Sequence, residues 1–345
     1  MVGTKENIET GRATVSALNH QHVLDLDDFS RAEIDLVFRT ADNMKEVLQR
    51  DIKKVPTLRG KTMVTLFYEP STRTRMSFEL AAKVLSADVI NFTAQTSSAV
   101  KGESLVDTVK TILAMGVDVI AMRHPSSGAP YLVAQQCERP DGSAQAAVIN
   151  GGDGWHAHPT QALLDMYTIR EHLGHIDGLK VAIVGDVLHS RVARSDIWGL
   201  AAMGAEVVLC SPPTLLPGEW RTPQSAHPEP VEGRATGMPP IRVTYDLREA
   251  ISDADVVMTL RLQKERMDDA LLPSMGEYIG GYQINADRLR WAKPGALLMH
   301  PGPVNEGIEL SAELVRGAQS VIDGQVTNGM AVRMALLYLL VGGPQ

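Results

Sequence analysis

The chain has 345 residues, 44% of them hydrophobic and 21% charged, which is enough for two domains that each bury a core. A formal charge of −8 leaves no overall basic footprint for nucleic acid, and no apolar run approaches the length of a membrane span. Two cysteines, Cys137 and Cys210, make neither a disulfide framework nor a zinc cluster, so secreted and disulfide-stapled classes are disfavoured and a reducing cytoplasm is expected.

Residues 1–20 read as a flexible polar extension without the apolar core of a signal peptide. A helical pattern follows, with Ile34, Val37 and Phe38 on one face and Met44, Val47 and Leu48 continuing it. From Lys61 onward, short apolar runs alternate with amphipathic stretches. Residues 62–68, 89–92, 117–122 and 147–150 read as strands, and 105–115 and the stretch of Phe78, Ala81, Ala82 and Leu85 as helices. Residues 159–172 form a long helix that bridges two halves. Beyond it, 180–184, 206–209, 241–243, 256–260 and 296–300 are a second set of strands. The repetition implies an α/β protein of two domains, each a parallel sheet flanked by helices and linked by long helices. The last helix, 326–340, is too apolar to stand alone and must pack back. Residues 212–240 hold 8 of the 19 prolines with no apolar periodicity, which reads as a mobile surface insertion.

The densest chemistry lies in Glu69-Pro70-Ser71-Thr72-Arg73-Thr74-Arg75, between a strand and a helix. Such a junction aims backbone N–H groups and the positive helix end outward. The hydroxyls of Ser71, Thr72 and Thr74 and the forked cation of Arg73 suit a phosphate. A capped helix with solvated arginines is the plainer alternative. In His156-Ala157-His158-Pro159-Thr160-Gln161, proline at the first helical position makes His158 the cap. A helix start disfavours imidazolium, so His158 is expected to be neutral and to donate to a polarised carbonyl, with Gln161 facing the same ligand. A structural histidine, or a metal pair completed by Asp153, are the other readings; further metal ligands at local spacing are lacking.

Gly185-Asp186-Val187-Leu188-His189-Ser190-Arg191 follows a strand and opens a helix without the Gly-x-Gly-x-x-Gly of a dinucleotide fold, which opposes a nicotinamide-dependent dehydrogenase. Arg191 and Arg194 suggest a carboxylate or phosphate ligand instead. Arg261 and Gln263 begin directly after a strand, where open parallel sheets bind ligands, and a charged surface helix is the alternative. His300-Pro301-Gly302-Pro303 is a stiffened loop, compatible with a cis Gly302–Pro303 bond, whose carbonyls can accept from an N–H₂ group. A phosphate nest, a neutral histidine and separate arginines, without a nucleophilic triad or metal cluster, suit direct transfer of an acyl-type group from an activated phosphate to an amine.

These motifs, with Lys101-Gly102-Glu103, Met122-Arg123-His124-Pro125, 261–266 and 325–333, resemble the aspartate/ornithine transcarbamoylases from about Leu24 to Leu340. The arginine pair in 189–195 and 261–263 resembles the aspartate branch. Ornithine enzymes lack that pair and typically carry a cysteine in the later loop, the one that here holds Gly302. The resemblance implies transfer of the carbamoyl group of carbamoyl phosphate to L-aspartate, without a cofactor or metal. It implies a carbamoyl-phosphate domain of 21–158 plus 326–345 and an aspartate domain of 159–325, with 217–240 inserted in place of a surface helix.

By the same resemblance, Ser71, Thr72, Arg73 and Thr74 hold the phosphate. Thr74, Arg123 and His158 polarise the carbamoyl oxygen, and Gln161, Gly302 and Pro303 surround the amide. Arg191 and Arg261 bind the aspartate carboxylates with help from Gln263. Lys101, with Ser97 nearby, enters from a neighbouring subunit of a homotrimer. Glu306 departs from relatives that often carry arginine there. The wording of 149–154 and 271–274 resembles the branch that assembles with dihydroorotase or a dihydroorotase-like partner. A transcarbamoylase acting on another amine, such as ornithine, and an inactive scaffold are the rival expectations.

Overall fold

Apolar runs bounded by turn residues become parallel strands because both faces of each sheet are covered by helices. The computed structural model describes residues 15–93, 103–220, 239–263 and 271–342. The first sheet contains β1 (Thr62–Phe67), β2 (Asp88–Thr93), β3 (Val119–His124) and β4 (Ala147–Asp153). All its pairings are parallel, in the order β2-β1-β3-β4. The second contains β5 (Lys180–Val184), β6 (Glu206–Cys210), β7 (Ile241–Thr244), β8 (Val256–Thr259) and β9 (Leu297–Met299). It too is parallel, in the order β7-β6-β5-β8-β9. All nine expected strands are present.

In each sheet the strand order reverses once, between β1 and β3 and between β5 and β8. Such a reversal opens a crevice at the carboxyl ends of the two strands, because successive helices leave toward opposite faces. The two crevices supply the two sides of the site described below.

The helices in chain order are α1 (Arg31–Leu48), α2 (Thr72–Val84), α3 (Leu105–Ala114), α4 (Ala129–Cys137), α5 (Pro159–Leu173) and α6 (Arg191–Ala202). They continue with α7 (Leu247–Ile251), α8 (Met275–Tyr282), α9 (Ala286–Leu289), α10 (Ala312–Val315) and α11 (Ile322–Val341). A capping box starts α1, where the Glu33 N–H donates to Ser30 Oγ and the Ser30 N–H to Glu33 Oε2. By contrast α5 and α11 are buried over most of their length, the signature of helices packed on several sides. α11 packs against α1, α2 and α5, and α5 against α6, so one apolar core runs continuously from the first sheet to the second.

Three differences from expectation have local causes. The last helix starts at Ile322, four residues before 326, because the chain enters it straight from a strand-like bridge: Leu298 N–H donates to Gln319 O and Val321 N–H to Leu298 O. The start of the proline-rich segment is packed, with Leu215 and Leu216 fully buried and Leu188 N–H donating to Leu215 O; 221–238 lie outside the described residues. Residues 15–20 make contacts, since Asn19 N–H donates to Glu33 and the His20 ring stacks on Phe29 at 4.4 Å; 1–14 lie outside the described residues.

Candidate active site

At the end of β1 the chain turns through Glu69 and Pro70 and enters α2 with Ser71 as N-cap. Thr72, Arg73 and Thr74 therefore occupy the first helical turn, around N–H groups that have no partner within the helix. The same construction recurs twice. His158 caps α5 with Pro159 next, and Ser190 caps α6, its hydroxyl accepting from Ala193 N–H, with Arg191 next. None of these three first turns holds an acidic residue, whereas α1, α3, α7 and α8 each carry one: Glu33, Asp107, Glu249 and Glu277. The first turn of α4 is also without an acid but lies elsewhere, whereas these three starts all border one cavity of about 460 Å³.

That cavity lies between the two sheets and, among the described residues, is lined by five arginines, Arg73, Arg123, Arg191, Arg261 and Arg333, against a single acid, Glu69. The imbalance suits polyanionic ligands. Burial and the neighbouring Arg261 charge both push the Arg73 guanidinium below its usual pKa. Glu69 relieves part of the crowding. Its carboxylate accepts from Arg191 Nη2 at 2.7 Å and Nη1 at 3.1 Å, and from Arg123 Nη2 at 2.5 Å, tying a strand end of the first sheet to a helix start of the second. Burial alone would raise the Glu69 pKa, but the two guanidinium groups hold it below the usual carboxylate range.

His158 is 5% exposed. Burial, followed by the charges of Arg123, Arg191 and Arg333, lowers its pKa well below 6.5, so the ring is neutral at physiological pH. Its backbone N–H donates to Ser195 Oγ, which in turn donates to Asp25, so the cap is pinned from α6. Two glycines give the arginines room. Gly152 has φ +115°, and a Cβ there would sit 2.9 Å from Arg191 Cζ. Gly302, at φ +66° before a cis Gly302–Pro303 bond, lies directly against the Arg73 guanidinium, where a Cβ would collide with it. The loop folds around its own histidine. Gly302 N–H donates to His300 Nδ1 at 2.7 Å, which leaves the ring proton on Nε2 to donate to Glu309 at 3.2 Å.

On the second sheet, Asp186 organises the remaining groups. It pairs with His189 Nδ1 at 2.8 Å and accepts from Gln263 N–H at 3.3 Å, while Gln263 Nε2 donates to His189 O at 3.0 Å. Leu262 is anchored in an apolar cluster with Leu215 and Tyr278, which leaves Arg261 and Gln263 on the cavity side.

The cavity brings together Ser71, Thr72, Arg73, Thr74, Arg123, His158, Gln161, Arg191, Arg261, Gln263, Gly302 and Pro303, each named above from the sequence. Lys101 and Ser97 lie outside the described residues. Arg194 does not line the cavity; its guanidinium stacks over Trp220 at 5.1 Å. His156 likewise turns away from the cavity to Asp153, 3.2 Å distant. Sequence reasoning assigned no role to Glu69, Asp186, Gln325 or Arg333. Glu69 could have been noticed as an acid inside a phosphate motif. Gln325, Asn328 and Arg333 were visible as polar residues interrupting an apolar helix.

The family model for the carbamoyl-P binding domain of aspartate/ornithine carbamoyltransferase matches residues 21–171, and that for the Asp/Orn binding domain matches 177–340. Aspartate carbamoyltransferase catalytic subunits are similar over nearly the whole chain. That of Dehalococcoides mccartyi (strain CBDB1) is 53% identical, covering 99% of this chain and 98% of the relative. That of Roseiflexus castenholzii (strain DSM 13941 / HLO8) is 58% identical, covering 96% and 98%. Among solved structures, aspartate transcarbamoylase from Trypanosoma cruzi in complex with carbamoyl phosphate superposes with a TM-score of 0.79 at 32% identity, covering 92% of this chain and 95% of that one. Ornithine carbamoyltransferase from Pyrococcus furiosus also superposes with a TM-score of 0.79, at 29% identity, covering 96% and 100%. The backbone thus does not separate the two branches, whereas the curated relatives at 53% and 58% identity are both aspartate enzymes. Two matched domain models, nearly full-length relatives and a shared architecture establish that the chain belongs to the aspartate/ornithine carbamoyltransferase family.

Proposed function

We propose that this chain transfers the carbamoyl group of carbamoyl phosphate to the amine of L-aspartate, giving N-carbamoyl-L-aspartate and phosphate, a step of de novo pyrimidine synthesis. The observation that carries the reading is the division of cations around one cavity. Arg73 and Arg123 come from the first sheet, and Arg191 and Arg261 from the second. An acyl phosphate and a dicarboxylate need two such sets.

In this reading the half made of 21–158 plus 326–345 binds carbamoyl phosphate and 159–325 binds aspartate. Ser71, Thr72, Arg73 and Thr74 hold the phosphate. Thr74, Arg123 and neutral His158 direct hydrogen bonds at the carbonyl oxygen, and Gln161, Gly302 and Pro303 meet the amide. Arg191 and Arg261, assisted by Gln263, take the two aspartate carboxylates. The deprotonated amine attacks the carbonyl carbon, and negative charge gathers on oxygen against donors that need no reorganisation. The bond from carbon to the phosphate oxygen then breaks. Phosphate leaves with the electron pair and accepts the proton released by the amine. No covalent enzyme intermediate is needed, and holding both reactants in one cavity lowers the entropic part of the barrier. A carbamoyl-transfer assay tests the assignment: turnover is expected with aspartate and none with ornithine, and the reverse result refutes it.

Lys101 completes the reading as a contribution from a neighbouring subunit of a trimer. A cleft of about 240 Å³ beside Tyr68–Arg75, with exposed Met76, Leu80 and Ile90 on the adjoining α2 and β2, supports an interface there. Mixing inactive Arg73→Ala and Lys101→Ala chains tests it. Each mixed trimer contains one intact junction of three, so random reassembly returns roughly a quarter of wild-type activity. No recovery after verified subunit exchange sinks the shared site. A dihydroorotase or dihydroorotase-like partner is proposed on the resemblance of 149–154, 271–274 and the N-terminal extension to that branch, and of these Pro273 and Ser274 are exposed. Ile149, Asn150 and Asp153 are fully buried in β4, and Leu271 and Leu272 pack on the cluster around Tyr278. We place the enzyme in the cytoplasm, consistent with two buried free cysteines. No helix among the described residues is long and apolar enough to cross a membrane.

A further inference from the structure

One carboxylate outside the cavity wall governs two amides inside it. Asp165 lies one turn below Gln161 on α5 and is 1% exposed. Its Oδ1 accepts from Gln161 Nε2 at 3.0 Å and from Gln325 Nε2, on α11, at 2.7 Å. An amide whose nitrogen is committed to a carboxylate has its oxygen turned the other way. For Gln325 that oxygen accepts the His300 N–H at 3.0 Å, which fixes the strand end leading into 301–303. For Gln161, which lines the cavity, the oxygen is left for a ligand. The two amide-facing walls, the Gln161 side chain and the Gly302–Pro303 loop, are thus set by one atom.

We propose that Asp165 is the positioning residue for recognition of the carbamoyl N–H₂, holding Gln161 so that it presents an acceptor rather than a donor. The proposal rests on the reading of Gln161 as an amide contact and goes beyond it by naming what makes the side chain selective. Without Asp165 the Gln161 amide is free to rotate and to offer N–H₂ to N–H₂, so the site loses its preference for a carbamoyl over an acetyl group while still holding phosphate. Burial raises the Asp165 pKa to about 7, an upward push that Gln325, Gln161 and Arg333 only partly oppose. Both amides donate an N–H to Asp165 Oδ1, so what they require is an acceptor oxygen, which a protonated carboxyl still offers through its carbonyl oxygen.

The test compares two stable probes by calorimetry, phosphonoacetamide and its methyl ketone analogue acetonylphosphonate, which differ only in N–H₂ against CH₃. In Asp165→Val, phosphonoacetamide is expected to weaken by about tenfold and acetonylphosphonate by less than about twofold. Asp165→Asn, which keeps an acceptor oxygen, is expected to restore the preference. Equal weakening of both probes would make Asp165 merely structural, and an unchanged preference would make it irrelevant; either overturns the proposal. If the valine variant does not fold, Asp165→Ser, whose oxygen ends short of Gln161, must show the same selective loss. A wild-type protein that does not prefer the amide would instead refute the Gln161 contact itself, which separates the two failures.

Discussion

On the first-sheet side of the cavity, ligand groups sit on strand ends and helix starts, with Thr74 at 9% and His158 at 5% exposure and Thr72 and Arg73 exposed in the first turn of α2. On the second-sheet side Arg191 is held as firmly, at 5%, inside the Glu69 clamp. Arg261 and Gln263 are half-buried just beyond the end of β8 and rely on the Asp186–His189 pair and on buried Leu262. One half presents its donors from strand ends and helix starts, while the Arg261–Gln263 part of the other is loop held by a few polar contacts. The difference teaches an order. The preformed half accepts the phosphate-bearing substrate at small conformational cost, and the looser half is completed against that substrate before the second one binds.

The largest effect should come from removing a donor on the rigid side. Arg123→Ala is expected to lower kcat by about 10² to 10³, because the developing oxyanion loses a fixed charge; steady-state assays at saturating substrates check this. Gly302→Ala should be nearly as harmful, since it places a Cβ against Arg73 at φ +66°. A rise of roughly tenfold or more in the phosphonoacetamide Kd is expected, and an unchanged Kd would mean that the loop moves freely. On the looser side, Arg261→Ala should raise the aspartate KM by about 100-fold while leaving phosphonoacetamide binding within about twofold. Equal losses in both substrates would erase the contrast between the halves. Smaller again is the binding order itself. Succinate should bind at least about tenfold more weakly to the free enzyme than to the enzyme saturated with phosphonoacetamide, and equal calorimetric affinities would show a second half that is already complete.

The smallest effect is on stability against pH. His158 is neutral in the folded protein far below 6.5, its ordinary pKa, so as pH falls below that value the unfolded chain takes up a proton that the folded chain refuses. Its contribution therefore destabilises progressively, at up to about 1 kcal/mol per pH unit. Urea unfolding at pH 6.5 and 5.5 should show a shallower loss in His158→Gln than in wild type.

Much of this was legible in advance, for a physical reason. The strands could be read because doubly covered parallel sheets demand unbroken apolar runs, and the rigid side of the site because its chemistry is compressed into contiguous motifs such as 71–74 and 158–161. What escaped is what depends on three-dimensional neighbours. Glu69 pairs with Arg191, 122 residues away, and Gln325 with Asp165, 160 residues away, and no local spacing signals either. The fate of Arg194 was equally invisible, since its Trp220 partner lies in a segment that reads as irregular. The four residues gained at the start of α11 came from a bridge to β9, not from any pattern in 322–325.

The three acid-free helix starts around the cavity have a consequence for the protein in solution. Each forgoes about 0.3–1 kcal/mol that an acidic side chain in the first turn would supply, and α2 and α6 add an arginine where charge repels the helix dipole. A bound dianion supplies the missing counter-charge from outside the chain, so ligand occupancy and melting temperature are thermodynamically linked. Inorganic phosphate at a hundred times its Kd would add about 2.7 kcal/mol to the unfolding free energy, and Arg73→Ala would show little of that gain. In that sense the substrate's phosphate acts as an external cap for α2, and the apo protein melts as a structure with one stabilising ion removed.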